Sequence, residues 1–315
     1  MKPSTMLEKI DIRNMAGIRI GNAQDEQAQT GVTVIIFSSG ARVGIDASGG
    51  GPAARETHLA DPTTADNPVN AIMLAGGSAY GLAAADGIMH YLEEHGMGYD
   101  TGFAKIPLVC GSCIYDLGIG SANVRPTAQM GYEACVNAES NNPQSGDYGA
   151  GCGATVGKIR GMKHCSNSGL GIYAVRLGAL EMAAVVAVNA LGDVYDPQTG
   201  AELAGLRNDK GELVDSRTEL YKITEKTDPF TGNTTIGVII TNGSFSKAEM
   251  SKIASMTRNA YARCINPVGT MADGDTIYAA SVGNVEADIN VAGTLAAEVM
   301  ELAIVNAVKS AERRI

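Results

Sequence analysis

The chain has 315 residues, 45% of them apolar and 18% charged, with a formal net charge of −10. That length can enclose a substantial core, and the mixture excludes a disordered acidic chain. The negative charge, with no run of Lys or Arg, argues against a nucleic-acid backbone as partner.

Residues 1–16 mix charges and lack the apolar centre of a signal peptide, and no apolar run reaches ~18 residues. Neither secretion nor a membrane span is expected. Six cysteines are too sparse for a disulfide framework, so they read as buried reduced thiols in a cytoplasmic protein. Gly31–Ser38 and Ala41–Ala47 read as two β-branched strands joined by a hairpin-like turn at Ser39-Gly40. Ala71–Ala75 is a short buried strand that runs through Gly76-Gly77-Ser78 into a helix over Ala79–His95. Leu82, Ala85, Met89 and Leu92 share one face of that helix, and Ser78 serves as its cap. Met182–Ala190 is another continuous apolar strand. Residues 194–233 are polar, without hydrophobic periodicity, and are expected to form an exposed segment. That segment ends abruptly at Thr234–Thr241, a strongly β-prone run. Ser246 and Glu249 form a capping box for a helix burying Met250, Ile253, Ala260 and Cys264. Thr276–Ser281 is a strand, and Val291, Leu295, Val299, Leu302 and Val305 mark a last helix. Helices and strands mixed in this order predict a single α+β domain, a layered sandwich with sheets inside and helices outside.

Several motifs invite chemistry. Gly149–Lys158 is glycine-rich, but Cys152 stands where a phosphate loop needs its first Gly, and Ile159 follows the lysine. No apolar strand precedes it, as a dinucleotide fingerprint requires. It reads as a tight backbone passage with Lys158 directed into a cleft. Ser78 sits on a strand–turn–helix, yet Tyr80 replaces the second Gly of a nucleophile elbow. Asp273-Gly274-Asp275 falls far short of a calcium loop and reads as a turn whose carboxylates orient another group. The junction Gly232-Asn233-Thr234-Thr235 is the most informative feature. Breaking the Asn233–Thr234 bond would leave Thr234 with a hydroxyl and a free α-amine. An α-amine with a pKa near ~8 can take that hydroxyl's proton at neutral pH.

Seven strings occur in one order: Gly51–Thr57, Gly76–Leu82, Ile114–Leu117, Gly149–Lys158, Ala187–Asp193, Asn233–Val238 and Asp273–Thr276. Together they resemble the DmpA-type family of β-peptidyl aminopeptidases, L-aminopeptidase/D-esterases and nylon-oligomer hydrolases, which are N-terminal-nucleophile hydrolases. The resemblance runs from about residue 10 to the C-terminus. It implies a four-layer αββα sandwich, a precursor that cuts itself into chains 1–233 and 234–315, and a homo-oligomer, often a tetramer. The implied substrate is a small peptide or amide, with no cofactor or metal. Carried over by position, Thr234 is nucleophile and base, and Asn233–Thr234 the bond cut. Asn189 and Tyr115 then assist the oxyanion, and Lys158 lies near the nucleophile. Asp273 and Asp275 occupy the paired positions where peptidase relatives have Ser and Glu, closer to the nylon-hydrolase branch. Cys152 and Cys110-Gly-Ser-Cys113 depart from the family strings. The same threonine ester would also serve acyl transfer or endo-cleavage of oligoamides, and a non-catalytic binder on the same fold is the remaining alternative.

Overall fold

The computed structural model describes residues 6–223 and 232–312. Its principal strands are β1 (Ile18–Asp25), β2 (Thr30–Ala47), β3 (Val69–Ala75), β4 (Val109–Cys113), β5 (Leu170–Leu177), β6 (Leu180–Asn189), β7 (Thr234–Gly243) and β8 (Thr276–Val285). Its α-helices are α1 (Ala84–Glu94), α2 (Ala128–Ala138), α3 (Ser216–Tyr221), α4 (Lys247–Cys264) and α5 (Ile289–Lys309).

β2 joins two sheets. Its first part pairs antiparallel with β1 and β3, while Arg42–Ala47 pairs antiparallel with β8. Between the two parts Gly40 takes φ +74° against Pro68, where a Cβ would come within 2.5 Å of the proline ring. The run expected to form a hairpin is therefore one strand that changes sheets, and its two apolar halves belong to different layers. One sheet runs β5–β6–β7–β8–β2 and the other β1–β2–β3–β4 with Ala53–Arg55 at its edge. β7 and β8 are parallel, as are β3 and β4.

Three apolar cores separate four layers. Ile35, Phe37, Ile72 and Leu74 of one sheet face Val185, Ala187, Ile236 and Val238 of the other. The outer face of the β6 sheet packs on α4 and α5 through Met182, Val186, Ile253, Val299 and Met300. The outer face of the β3 sheet packs on α1 and α2 through Val34, Met73, Ile88 and Ala134. This is the αββα sandwich. It explains why β6 is apolar without alternation: even and odd residues enter different cores, so both faces are buried.

Glu249 and Ser246 form the expected capping box, and the four residues named for the buried face of α4 are buried. Other local expectations are corrected. Gly77 is the cap residue before a 3-10 turn over Ser78–Ala83, and Ser78 itself sits at φ +54°. Ala85 and Leu92 of the expected helix face are buried, and Leu82 and Met89 pack half-buried on the same core. Ala84, Ile88 and Tyr91 widen that face, and Gly87 lets it meet the Ala128 carbonyl of α2. α5 is apolar enough to cross a bilayer by length and composition, but Leu295, Val299, Met300 and Ile304 are buried in the fold. Its Val291 is exposed and Leu302 half-buried, off the buried face.

The segment expected to be exposed is folded over its described part. It holds strands Asp193–Tyr195 and Glu202–Ala204 and helix α3. Buried Asp193 organises it, accepting from Leu206 N at 2.8 Å and from the Ser216 backbone and hydroxyl at 2.6 Å. Polar anchoring leaves no hydrophobic period to read. Residues 224–231 of that segment lie outside the described residues.

Candidate active site

Two β-branched residues open β7, and strand pairing carries them inside. Thr234, the first residue of β7, is directly opposite Asn189, the last residue of β6. The preceding residue, Asn233, forms a parallel bridge with Asp273 at the entrance to β8. Thr234 is only 5% exposed. Its hydroxyl lies against the carbonyl oxygen of Asn233, on the peptide immediately before it. Gly274 N–H donates to the same Asn233 carbonyl at 3.0 Å.

Lys158 reaches this junction from the far end of the glycine-rich passage. Gly157 has φ +74° and lies so close to the Leu206 backbone that a Cβ would collide with it. Gly157 N and Lys158 N then donate to the Gly192 and Leu191 carbonyls at 2.9 Å. With the backbone fixed, Lys158 Nζ donates to Asn189 Oδ1 at 2.7 Å, to the Asn189 carbonyl at 3.1 Å and to the Gly232 carbonyl at 3.4 Å. The side chain is buried among neutral acceptors. Burial disfavours its charged form and lowers its pKa to about 7, against the opposing influence of Cys165, Asp273 and Asp116.

Asn189 is the hub. Its Oδ1 accepts from Lys158 and from Thr155 N at 3.0 Å, while its Nδ2 donates to the Tyr115 carbonyl at 2.9 Å. Those bonds assign the orientation of the amide. Tyr115 therefore enters the cluster through its backbone.

The two aspartates hold the opposite side. Asp273 Oδ2 accepts from Thr270 N at 2.9 Å and from the Thr270 hydroxyl at 2.6 Å, and its Oδ1 accepts from Leu191 N at 3.4 Å. Asp275 Oδ1 accepts from Thr235 N at 2.8 Å and Oδ2 from Gly269 N at 3.2 Å. Burial, then the neighbouring charge of Asp273, raises the pKa of Asp275 to about 7. The structure thus gathers Asn189, Lys158, Asp273 and Asp275, all named from the sequence, around residues 232–235 with Thr234 among them, and ties Tyr115 to Asn189.

Asp116 escapes sequence reasoning. It is buried, accepts from Gly77 N and from the Thr30 hydroxyl, both at 2.7 Å, and lies close enough to Lys158 to interact electrostatically. It lies in the string Ile114–Leu117, but nothing in that string marks it as a neighbour of Lys158. Cys165 lies close enough to Lys158 to interact with it electrostatically and borders a polar surface cleft of about 740 Å³ with Lys163, His164 and Arg207. Among the described residues no three His, Cys, Asp or Glu side chains are placed to hold a metal ion.

Residues 11–314 match the model of peptidase family S58. The chain belongs to this family. An uncharacterized aminopeptidase of Mycobacterium tuberculosis is 38% identical over 95% of this chain and 89% of its own length. A 6-aminohexanoate-oligomer endohydrolase of a Kocuria species is 32% identical over 93% of this chain and 84% of its own. Among solved structures, the L-aminopeptidase D-Ala-esterase/amidase of Ochrobactrum anthropi, a variant of the Ntn hydrolase fold, superposes with a TM-score of 0.72. That match is 16% identical and covers 96% of this chain and 86% of the other. A Burkholderia β-aminopeptidase superposes with a TM-score of 0.69 at 18% identity, over 96% and 88% of the two chains. The S58 chain is thus a hydrolase of amide bonds on an Ntn-hydrolase fold.

Proposed function

We propose that the chain cuts its own Asn233–Thr234 bond, and that the freed Thr234 then hydrolyses small peptides or amides as an aminopeptidase. One observation carries this reading: the Thr234 hydroxyl lies against the carbonyl of its own preceding peptide, inside a cluster of Asn189, Lys158, Asp273 and Asp275. A buried threonine at a strand start needs no such company for packing alone. Before the cut Thr234 has no free amine. Lys158, near neutrality and bonded to the Gly232 carbonyl, is the base suited to taking the hydroxyl proton. After the cut, the α-amine of Thr234 takes over, with an unperturbed pKa near ~8. The pairing of Asn189 with Thr234 and its bond to the Tyr115 carbonyl support a role for both at the oxyanion in turnover, and Asp275 holds Thr235 N and with it the direction of the strand end. The buried, free cysteines support a reducing, cytoplasmic setting, and the resemblance supports a homo-oligomer.

Endo-cleavage of oligoamides is the second reading. The Asp-Gly-Asp string and the relatives named as 6-aminohexanoate-oligomer endohydrolases favour it. Mass spectrometry tests the core of the proposal. Purified protein should contain fragments 1–233 and 234–315, the second beginning Thr-Thr-Ile-Gly, and Thr234→Ala should remain whole and inactive. An uncut wild-type chain with full amidase activity overturns it. p-Nitroanilides of single amino acids against short oligoamides separate exo- from endo-cleavage.

A further inference from the structure

We propose that Gly274, through its backbone N–H, is the catalytic donor to the oxyanion that forms during self-cleavage. This rests on Thr234 being the attacking residue. In that step Thr234 Oγ bonds to the carbonyl carbon of Asn233, and the electron pair of the C=O moves onto oxygen. When the carbonyl re-forms, the C–N bond breaks and the hydroxyl proton ends on the Thr234 nitrogen, leaving an ester. Water then adds to the ester, releasing the Asn233 carboxyl group and restoring the Thr234 hydroxyl. The oxygen that takes the charge is the one Gly274 N–H already holds at 3.0 Å. That separation is within the ~2.7–3.1 Å at which oxyanion donors act.

The donor is fixed in advance. Asp273, one residue earlier, is pinned by both Thr270 bonds and by the bridge to Asn233. Gly51 N and Gly49 N donate to the Asp273 and Asp275 carbonyls at 2.9 and 3.2 Å, clamping the turn on both sides of Gly274. A preset dipole needs no reorganisation when charge develops. The absence of a side chain also has a local reason. Gly274 is not at positive φ, but a Cβ there would come within 2.7 Å of both Thr234 Oγ1 and the Gly51 carbonyl. Only glycine presents its N–H to this carbonyl while leaving room for the attacking hydroxyl. Asn189, the donor suggested by the sequence, directs its amide to the Tyr115 carbonyl in the uncut chain.

Replacing Gly274 with glycolic acid by suppression with an α-hydroxy acid exchanges the N–H for an ester oxygen and adds no Cβ. Self-cleavage after refolding should slow about 100-fold or more, the effect of losing one oxyanion donor. The same exchange at Gly131, whose N–H bonds the Thr127 carbonyl at 3.0 Å in α2, should leave the rate unchanged. Where the Gly274 ester does not refold, Thr270→Val loosens the turn by removing the hydroxyl bond to Asp273. It should slow cleavage at least about tenfold, more than the fall in unfolding midpoint from the lost bonds to Asp273 and Ala272 N accounts for. Thr270→Ser, which keeps the hydroxyl, should restore the rate. Wild-type cleavage rates in the refolded ester, or in Thr270→Val where the ester does not refold, overturn the role of Gly274 while Thr234→Ala stays uncut. Cleavage of Thr234→Ala overturns instead the reading on which it rests.

Discussion

Asn189→Asp changes one atom of the hub and tests the state of Lys158. The shape is conserved, but a carboxylate now faces Lys158 Nζ across 2.7 Å. Two unit charges at that separation attract by roughly 6 kcal/mol at an effective dielectric of about 20, equivalent to about 4 pKa units. Desolvating the new carboxylate and opposing its second oxygen to the Tyr115 carbonyl remove part of this gain. A rise of about 2 units or more above the present value near 7 is the expected net effect. The neutral fraction of Lys158 at pH 7 then drops from about a half to about 1% or less. Self-cleavage of denatured precursor refolded at pH 6–10, followed on denaturing gels, should slow about 50-fold at pH 7 and recover above pH 9. Recovery in alkali separates a protonation effect from damaged geometry, which no pH would repair. A variant that matures at the wild-type rate with an unmoved pH profile would refute the role of neutral Lys158.

Thr234→Ser keeps the hydroxyl and should still mature, whereas Thr234→Val, of similar shape, should stay whole; mass spectrometry of the purified chains distinguishes them. Stability should pass through a minimum near pH 7, measured as the urea midpoint of uncut Thr234→Ala. Asp275 keeps a proton up to about 7 that the unfolded chain loses near 3.8, so its contribution falls as pH rises between those values. Lys158 loses near 7 a proton that the unfolded chain keeps to 10.5, so stability rises with pH over that window. Each slope approaches ~1.4 kcal/mol per pH unit; Asp275→Asn should flatten the acid side and Lys158→Met the alkaline side. Gly87→Ala would place a Cβ within 1.7 Å of the Ala128 carbonyl, forcing α1 and α2 apart. A loss of roughly 1–3 kcal/mol is expected by thermal denaturation, and an unchanged midpoint would mean that the helices do not meet so closely.

Much of this molecule is legible from neighbours along the chain. The capping box of α4, the apolar runs of β3, β6 and β7, and the glycine-rich approach to Lys158 depend on residues a few positions apart. Each could be located before any tertiary contact was known. Thr234 stood out because a polar stretch stops there and a β-branched run begins. Resemblance, not periodicity, joined Lys158, Asn189 and the two aspartates to it. Tertiary structure alone decided that β2 crosses from sheet to sheet, that Asp193 folds an apparently featureless segment, and that Asp116 and Cys165 stand around Lys158. It also decided which N–H meets the Asn233 carbonyl. Local propensity reports how a residue sits relative to its own strand or helix. A hydrogen bond between positions 233 and 274 depends on the register of β7 and β8 and on the turn that leads from α4 into β8, which the packing of all four layers sets together.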